Sequence, residues 1–250
     1  MHEYGADFYR YVATFAIRSA ERIVSVVTDA LPINSVVDFG CGQGAWLSVW
    51  RKAGVSVTGV DGPYVDLRYL MIDPADFIAD DLAEPINLGR QFDLVQSLEV
   101  AEHLPAAYAE RFIDTLVAHG PCVMFSAAVP GQGGEHHVNE QPLEYWRAIF
   151  RKKGYVAIDY VRPLVRNEEA VQYWYRYNTV LYVRENHLAA LPETVRRHLV
   201  ADGQALRNDW PMLHRARQKL LSQLPVAMVD FLSRSQSSLI ARRVTRAQPH

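Results

Sequence analysis

The 250-residue chain contains only two cysteines, Cys41 and Cys122. Two thiols cannot build a disulfide framework, and both fall inside apolar segments. Buried thiols in a reducing compartment are therefore expected. No apolar run approaches the roughly 20 residues that span a bilayer, so no membrane partner is expected. The first residues, MHEYGADFYRY, lack the basic-then-apolar order of a secretory signal. Together these features point to a cytoplasmic protein. An excess of either charge is missing too. The formal net charge is −2, which leaves no global field to draw the chain to nucleic acid. Also missing are a G-x-x-x-x-G-K-[ST] phosphate loop, an H-E-x-x-H pair, cysteine pairs, internal repeats and low-complexity stretches. What is abundant is apolar sequence, 49% of residues, enough for one large core and a small appendage.

The most informative stretch is Val36 to Gly62, VVDFGCGQGAWLSVWRKAGVSVTGVDG. An apolar run leads into Asp38-Phe39-Gly40-Cys41-Gly42-Gln43-Gly44. A helical pattern follows, then a second apolar run ending at Asp61 and Gly62. Glycines here let the backbone turn sharply and approach a ligand closely. A carboxylate at the end of the second strand is placed to accept hydrogen bonds from a ribose diol. The pattern predicts an adenosine-containing cofactor. It is not a dinucleotide loop, because the spacing is G-x-G-x-G and Asp38 precedes it. A carboxylate beside pyrophosphate is unfavourable, whereas one beside an ammonium or sulfonium is not.

Further motifs follow in order. Phe77-Ile78-Ala79-Asp80-Asp81-Leu82 ends a short third apolar run, and Phe92 to Leu104 contains Ser97-Leu98-Glu99-Val100-Ala101-Glu102-His103. Residues 121–128 read as a fifth strand, with 155–161 and 179–183 as the last two. This set resembles the class I S-adenosylmethionine (SAM) dependent methyltransferases of small-molecule type, over roughly residues 34–184. The resemblance implies SAM as cofactor, held by Asp38, Gly40, Gly42, Gly44, Asp61, Gly62, Asp81, Leu82, Ser97 and Glu99. It also implies an α/β fold: a Rossmann-like, seven-stranded, mostly parallel sheet with helices on both faces and an antiparallel last strand. The ligand is then expected beyond the carboxyl ends of the strands, at the switch in strand order.

Two flanking regions complete the expected organisation. Residues 1–33 show helical periodicity and an aromatic cluster at Tyr4, Phe8, Tyr9 and Tyr11, which the resemblance suggests is a lid. Residues 185–250 lack strand signals. Leu188, Leu191, Val195 and Leu199, then Leu213, Ala216, Leu220, Leu224, Met228 and Phe231, recur at helical spacing, with breaks near Gly203, Pro211 and Pro225. This helical extension is expected to cap the acceptor site or to form a homodimer surface. Beyond Phe231 there are four arginines and no acid, which reads as a solvated terminus.

Methyl transfer from a sulfonium is an in-line displacement, so the protein mainly aligns the reactants. A hydroxyl acceptor also benefits from a general base. His103 is one candidate, after the fourth strand. His137 and Asn139 are others, in the loop Gly131 to Gln141, where glycines alternate with polar side chains. Tyr175, within the cluster Tyr173 to Tyr177, is a candidate for lining the acceptor site. No metal is expected. Adjacent Glu135, His136 and His137 rarely converge on one ion, although Glu99 and Glu102 suit magnesium. The expected reaction is methylation of an oxygen or nitrogen on a small molecule such as a sugar or specialised metabolite. The alternative is SAM turned on itself, as in azetidine-2-carboxylate synthases, with Asn139 and Tyr175 as clamps.

Overall fold

A computed structural model describes residues 6–206, 208–224 and 228–229, with side chains described from residue 14 onward. The aromatic lid proposed for Tyr4 to Tyr11 and the basic stretch beyond Phe231 lie outside these described residues and side chains.

The order of elements is α1 (Ala6–Thr28), β1 (Ser35–Phe39), α2 (Ala45–Lys52), β2 (Ser56–Asp61), β3 (Phe77–Ala79), β4 (Leu94–Leu98), α3 (Ala109–Ala118), β5 (Cys122–Ser126), α4 (Leu143–Lys152), β6 (Tyr155–Ile158), α5 (Val161–Val165), α6 (Tyr173–Asn178), β7 (Val180–Arg184), α7 (Glu193–Arg196) and α8 (Met212–Leu221). Seven strands form one sheet in the order β3-β2-β1-β4-β5-β7-β6. All pairings are parallel except those of β7, which runs antiparallel to β5 and β6. The order reverses between β1 and β4, so their carboxyl ends diverge into a crevice there.

Alternation along each strand splits the core between the two faces of the sheet. Val37, Phe39, Val95, Val123, Phe125 and Tyr182 face one side, against α3 and α4. Val36, Leu94, Met124, Leu181 and Val183 face the other, against α1, α2 and α5. On the first side Phe150 of α4 stacks on Tyr182 of β7 at 3.9 Å between ring centroids. Burying a Phe side chain fully contributes roughly 1.5–3 kcal/mol, so this pair is a principal anchor of α4.

The flanking regions differ from expectation. Ala20, Ile23, Val24 and Val27 of α1 are buried against the sheet, so its C-terminal half is a structural layer rather than a lid. After β7, Leu191 and Val195 are also buried in that core face, and Leu199 makes an isolated bridge to Ile158 of β6. In α8 the expected apolar stripe is inverted. Leu213 and Leu220 are 85% and 66% exposed, whereas Gln218 is buried. The reason is local: α8 packs across the Gly131–Gln141 loop, and Gly131 lies so close that a Cβ there would overlap Gln218 O.

Candidate active site

The crevice at the switch opens into a cavity of about 530 Å³. It gathers the ends of four parallel strands: Gly40 after β1, Asp61 and Gly62 at β2, Asp81 and Leu82 after β3, and Glu99 and His103 after β4. Asp38, Gly42, Gly44 and Ser97 are not on its wall. They sit behind it, in the turn and at the strand ends.

The glycine turn is locked to β2. Asp61 Oδ2 accepts from Gly42 N at 2.6 Å, and Oδ1 accepts from Gly62 N at 2.7 Å and from the Tyr64 hydroxyl at 2.5 Å. Asp61 is therefore an anchor for the turn as well as a cavity wall. Gly40, Gly42 and Gly44 all have positive φ, at 87°, 54° and 78°. At Gly40 a Cβ would overlap the Val100 side chain, so the turn and the start of the post-β4 segment touch only because glycine is there. Gly44 caps the N-terminus of α2.

Asp38 is buried and accepts from Gln96 Nε2 at 2.8 Å, while Gln96 Oε1 accepts from Trp50 Nε1 at 2.9 Å. Burial pushes the Asp38 carboxyl up to about 8, and the nearby Asp61 adds to that against the Gln96 hydrogen bond. An acid so poorly solvated is prepared to meet a cation. Ser97 is fully buried, and its hydroxyl has no hydrogen-bond partner among the described residues. Asp81 Oδ1 accepts from Ala83 N at 2.9 Å, leaving the carboxylate at the mouth of the cavity beside buried Leu82. This donor and acceptor set fits SAM, which needs acceptors for its ribose and adenine and an anion for its cationic end.

The other end of the site is built on β4 and the loop after β5. Glu99 takes a positive φ of 57°, an uncommon geometry for a non-glycine residue. Its carboxylate accepts from Gln132 Nε2 at 2.6 Å. Gln132 Oε1 in turn accepts from Asn178 Nδ2 at 2.8 Å, and Asn178 Oδ1 accepts from Trp210 Nε1 at 3.0 Å. The C-terminal extension is thus wired to a residue on the cavity wall. His103 is an exposed residue that opens onto the cavity, and partial desolvation of its ring there, then the neighbouring His137, lowers its pKa.

Glu102 does not line the cavity and is fully buried. Neither carboxylate oxygen has a hydrogen-bond partner among the described residues. Burial, then the charge of Glu99, pushes its pKa well above the usual carboxylate range. The Glu102 backbone carbonyl receives Val138 N at 2.9 Å and Asn139 N at 3.0 Å, which folds the loop over it. His137 then lies with Nε2 at 3.9 Å from Glu102 Oε1 and its ring edge-on to His103 at 5.0 Å. Its other nitrogen, Nδ1, is 2.9 Å from Glu140 Oε1, and Glu140 also accepts from Gly131 N and Gly133 N, both at 2.8 Å. Asn139 is buried, with Oδ1 accepting from Gln141 Nε2 at 3.0 Å and Nδ2 unpartnered among the described residues.

His103 and His137 are therefore brought together, with Asn139 bonded to the backbone beneath them. Tyr175 stands apart from this group, packed edge-on against Trp46 of α2 at 5.0 Å. Burial, with the charges of Glu99 and Asp38 nearby, raises its pKa. Sequence reasoning missed Glu140 and Gln132, which hold the loop and Glu99 in place. Gly131 and Gly133 flank Gln132 and were a signal there, since backbone N–H groups of a turn need acceptors, but no neighbour in the chain marks Glu140. Sequence reasoning placed His137 with Asn139 on the acceptor side and set aside its convergence with Glu135 and His136, without naming the residues its ring would meet. The fold sets it against Glu102 and His103, 35 and 34 positions earlier in the chain by their numbers.

A family model described as a methyltransferase domain matches residues 10–195. A ubiquinone biosynthesis O-methyltransferase of Stutzerimonas stutzeri (strain A1501) is 32% identical over 124 residues, covering 46% of this chain and 48% of that protein. The chain thus aligns with about half the length of this curated relative. Among solved structures, the sugar N-methyltransferase KedS8 from Streptoalloteichus sp ATCC 53650 superposes with a TM-score of 0.54 at 18% identity, covering 71% of this chain and 91% of the other. Magnesium protoporphyrin IX methyltransferase from Synechocystis PCC 6803, solved with bound SAM, gives 0.50 at 18% identity, covering 74% and 86%. These two likenesses are of fold. The family match spans most of the chain and agrees with the strand order, the glycine turn and Asp61, so the chain belongs to the class I SAM-dependent methyltransferases.

Proposed function

We propose that this chain transfers a methyl group to an oxygen or nitrogen of a small molecule, a sugar or another specialised metabolite. The observation that carries the reading is a continuous cavity, which joins a cofactor end (Gly40, Asp61, Asp81, Leu82) to a polar end (Glu99, His103). Bound there, SAM would supply an electrophilic methyl group on a sulfonium. Asp61 would hold the ribose, Asp81 and Leu82 the adenine edge, and Asp38 the cationic end from behind the turn. Glu99, fixed by Gln132 and Asn178, and His103, with an unprotonated imidazole, would face the acceptor. The loop from Gly131 to Gln141 supports that wall, and α8 supports the loop. A cavity of this kind admits a small molecule more readily than a polymer, and the net charge of −2 gives no attraction for polyanions. The acceptors printed in the names of the relatives above, an O-methyl acceptor of ubiquinone biosynthesis and an N-methylated sugar, support a small acceptor as well.

The test is mass spectrometry of the purified protein with SAM, alone and then with panels of sugars, phenols and amines. S-adenosylhomocysteine formed only with an acceptor, together with a product heavier by one methyl, is the expected result. Release of methylthioadenosine from SAM alone would replace the reading by cyclisation or lysis.

A further inference from the structure

We propose that Tyr64 sets how tightly and how reversibly the cavity holds a nucleoside, because its hydroxyl occupies the Asp61 oxygen that a ribose diol needs. The proposal rests on the reading of this cavity as the SAM site and extends it to the exchange of cofactor for product.

The first observation is a count of hydrogen bonds. A carboxylate offers about four lone-pair sites, two on each oxygen. Three are taken at Asp61. Gly42 N donates to Oδ2 at 2.6 Å, and Gly62 N and the Tyr64 hydroxyl both donate to Oδ1, at 2.7 and 2.5 Å. A ribose diol that binds through both hydroxyls brings two more donors, so one of the present three must leave. The two amides belong to the backbone of the glycine turn and of the residue after β2, and neither can leave without undoing the turn. The third donor is a side chain on a residue that is 80% exposed.

The second observation is independent of that count and concerns Gly62. Its φ lies outside the left-handed range, so the backbone does not require glycine there. Space does. A Cβ at Gly62 would come within 2.1 Å of Tyr64 Cε1 and 2.6 Å of Cδ1. The Tyr64 ring is seated on Gly62, and any larger residue would push it away from Asp61.

The third is the way the backbone is held. Val65 N donates to Gly62 O at 3.1 Å, which closes a turn with Pro63 and Tyr64 at its central positions. Proline at the first of these fixes its own φ. The hydroxyl can therefore leave Asp61 by side-chain rotation, with no movement of the loop. Pro63 and Tyr64 line the cavity together with Asp61, Asp81 and Leu82, so the exchange takes place in the cavity wall itself.

The effect on binding follows from competition. A site that is free for only a fraction of the time binds with an affinity reduced by that fraction. The hydroxyl is tethered beside Asp61, so it competes with an incoming ribose at high effective concentration. It competes equally against SAM and S-adenosylhomocysteine, since both carry the same ribose. Interactions common to substrate and product do nothing for the chemical step, and strong ones delay product release. Tyr64 trims such an interaction. It slows capture of the nucleoside, and by returning to Asp61 it speeds the departure of the spent one.

The experiment compares the full chain with Tyr64→Phe, which keeps the ring on its seat and removes only the hydroxyl. Melting temperatures check that both are folded. Calorimetry gives affinities for SAM and S-adenosylhomocysteine, and a chase with excess SAM gives the release rate of S-adenosylhomocysteine. Adenosine and 2′,3′-dideoxyadenosine are then compared as competitors. Tyr64→Phe should bind SAM and S-adenosylhomocysteine about threefold to tenfold more tightly, with slower release accounting for part of the gain. It should bind adenosine more tightly as well, and dideoxyadenosine no better than the wild type does. A residue with a merely structural role would give no gain. SAM affinity within about twofold of the wild type, or weaker, overturns the proposal, since weaker binding would make the hydroxyl a contact of the cofactor. An equal gain for dideoxyadenosine overturns it too, because the effect would not pass through the diol. SAM binding that is indifferent to Tyr64 refutes this proposal alone, whereas no SAM binding by the wild-type chain refutes the methyl-transfer reading with it.

Discussion

Asp61 at the end of β2 accepts a hydrogen bond from Gly42 N in the glycine turn, over 2.6 Å. The same carboxylate faces the cavity. Asp61→Ala should therefore do two things. Loss of a charged acceptor should weaken SAM binding by about 2–3 kcal/mol. Loss of the Gly42 and Gly62 partners should also lower the melting temperature without cofactor. Calorimetry and thermal melting read the two effects separately. Unchanged affinity in a folded variant would remove Asp61 from the cofactor site.

Asp38 yields a prediction about protons. Burial pushes its carboxyl up to about 8, so near pH 7 the free protein holds it mostly protonated. If the cationic end of SAM binds against it, binding should release close to one proton at pH 7. Calorimetry in buffers of different ionisation enthalpy measures that number, and Asp38→Asn should abolish it. A stability effect accompanies it. Between about pH 4, the ordinary carboxylate range, and pH 8, the folded chain binds a proton that the unfolded chain does not. Stability from this group is therefore full at the acid end and falls as pH rises through the folded value. The melting temperature of Asp38→Asn should gain on the wild type from pH 5 to pH 8. A constant difference would show that the carboxyl titrates normally.

The glycines of the turn should fail differently. At Gly40 a Cβ overlaps Val100, whereas at Gly42 it meets no described atom within 4 Å. Gly40→Ala should destabilise the fold by more than the roughly 1–2 kcal/mol that a left-handed backbone costs any L-residue. Val100→Ala in the same chain should restore part of the loss. Gly42→Val should instead act chiefly on SAM affinity, through a β-branched side chain on the open side of the turn. Equal melting temperatures for Gly40→Ala and Gly42→Ala would contradict this division.

These contrasts mark what was legible in the sequence. The glycine turn, Asp61 and the post-β3 acid follow one another along short, local segments whose spacing fixes their geometry. The alternation of strand and helix signals implied a parallel sheet, and the switch between β1 and β4 was implied by the family resemblance. What could not be read is what depends on long-range closure. His137 is next to His136 in the chain, yet its ring meets Glu102, because two backbone N–H groups of the loop bond to the Glu102 carbonyl. The apolar spacing of Leu213 and Leu220 resembles a buried face, but α8 is held through Gln218 against a glycine of that same loop. Periodicity reports which face is apolar, and cannot report that a glycine elsewhere has made room for a polar one.

The loop from Gly131 to Gln141 is where the reading is most exposed to refutation, and Asn139 is its sharpest point. Its backbone N–H bonds to Glu102 O at 3.0 Å, an interaction that survives any side-chain change. Its side chain is buried, with Oδ1 tied to Gln141 and Nδ2 unpartnered among the described residues. A buried amide donor left unpaired costs about 1–3 kcal/mol, so as a purely structural residue Asn139 is a poor choice. As a group that meets an acceptor it is a reasonable one. Asn139→Ala should leave SAM affinity within tenfold, a window of about 1.4 kcal/mol. Turnover should fall by about a hundredfold, the scale on which a lost positioning contact is felt. If the loop is only a clasp between Glu102 and α4, the same variant should melt earlier, or later if the unpaired amide was a burden, with turnover per folded molecule unchanged. Melting temperature, SAM affinity and product formation on this one variant separate the two accounts, and full activity would remove Asn139 from the site.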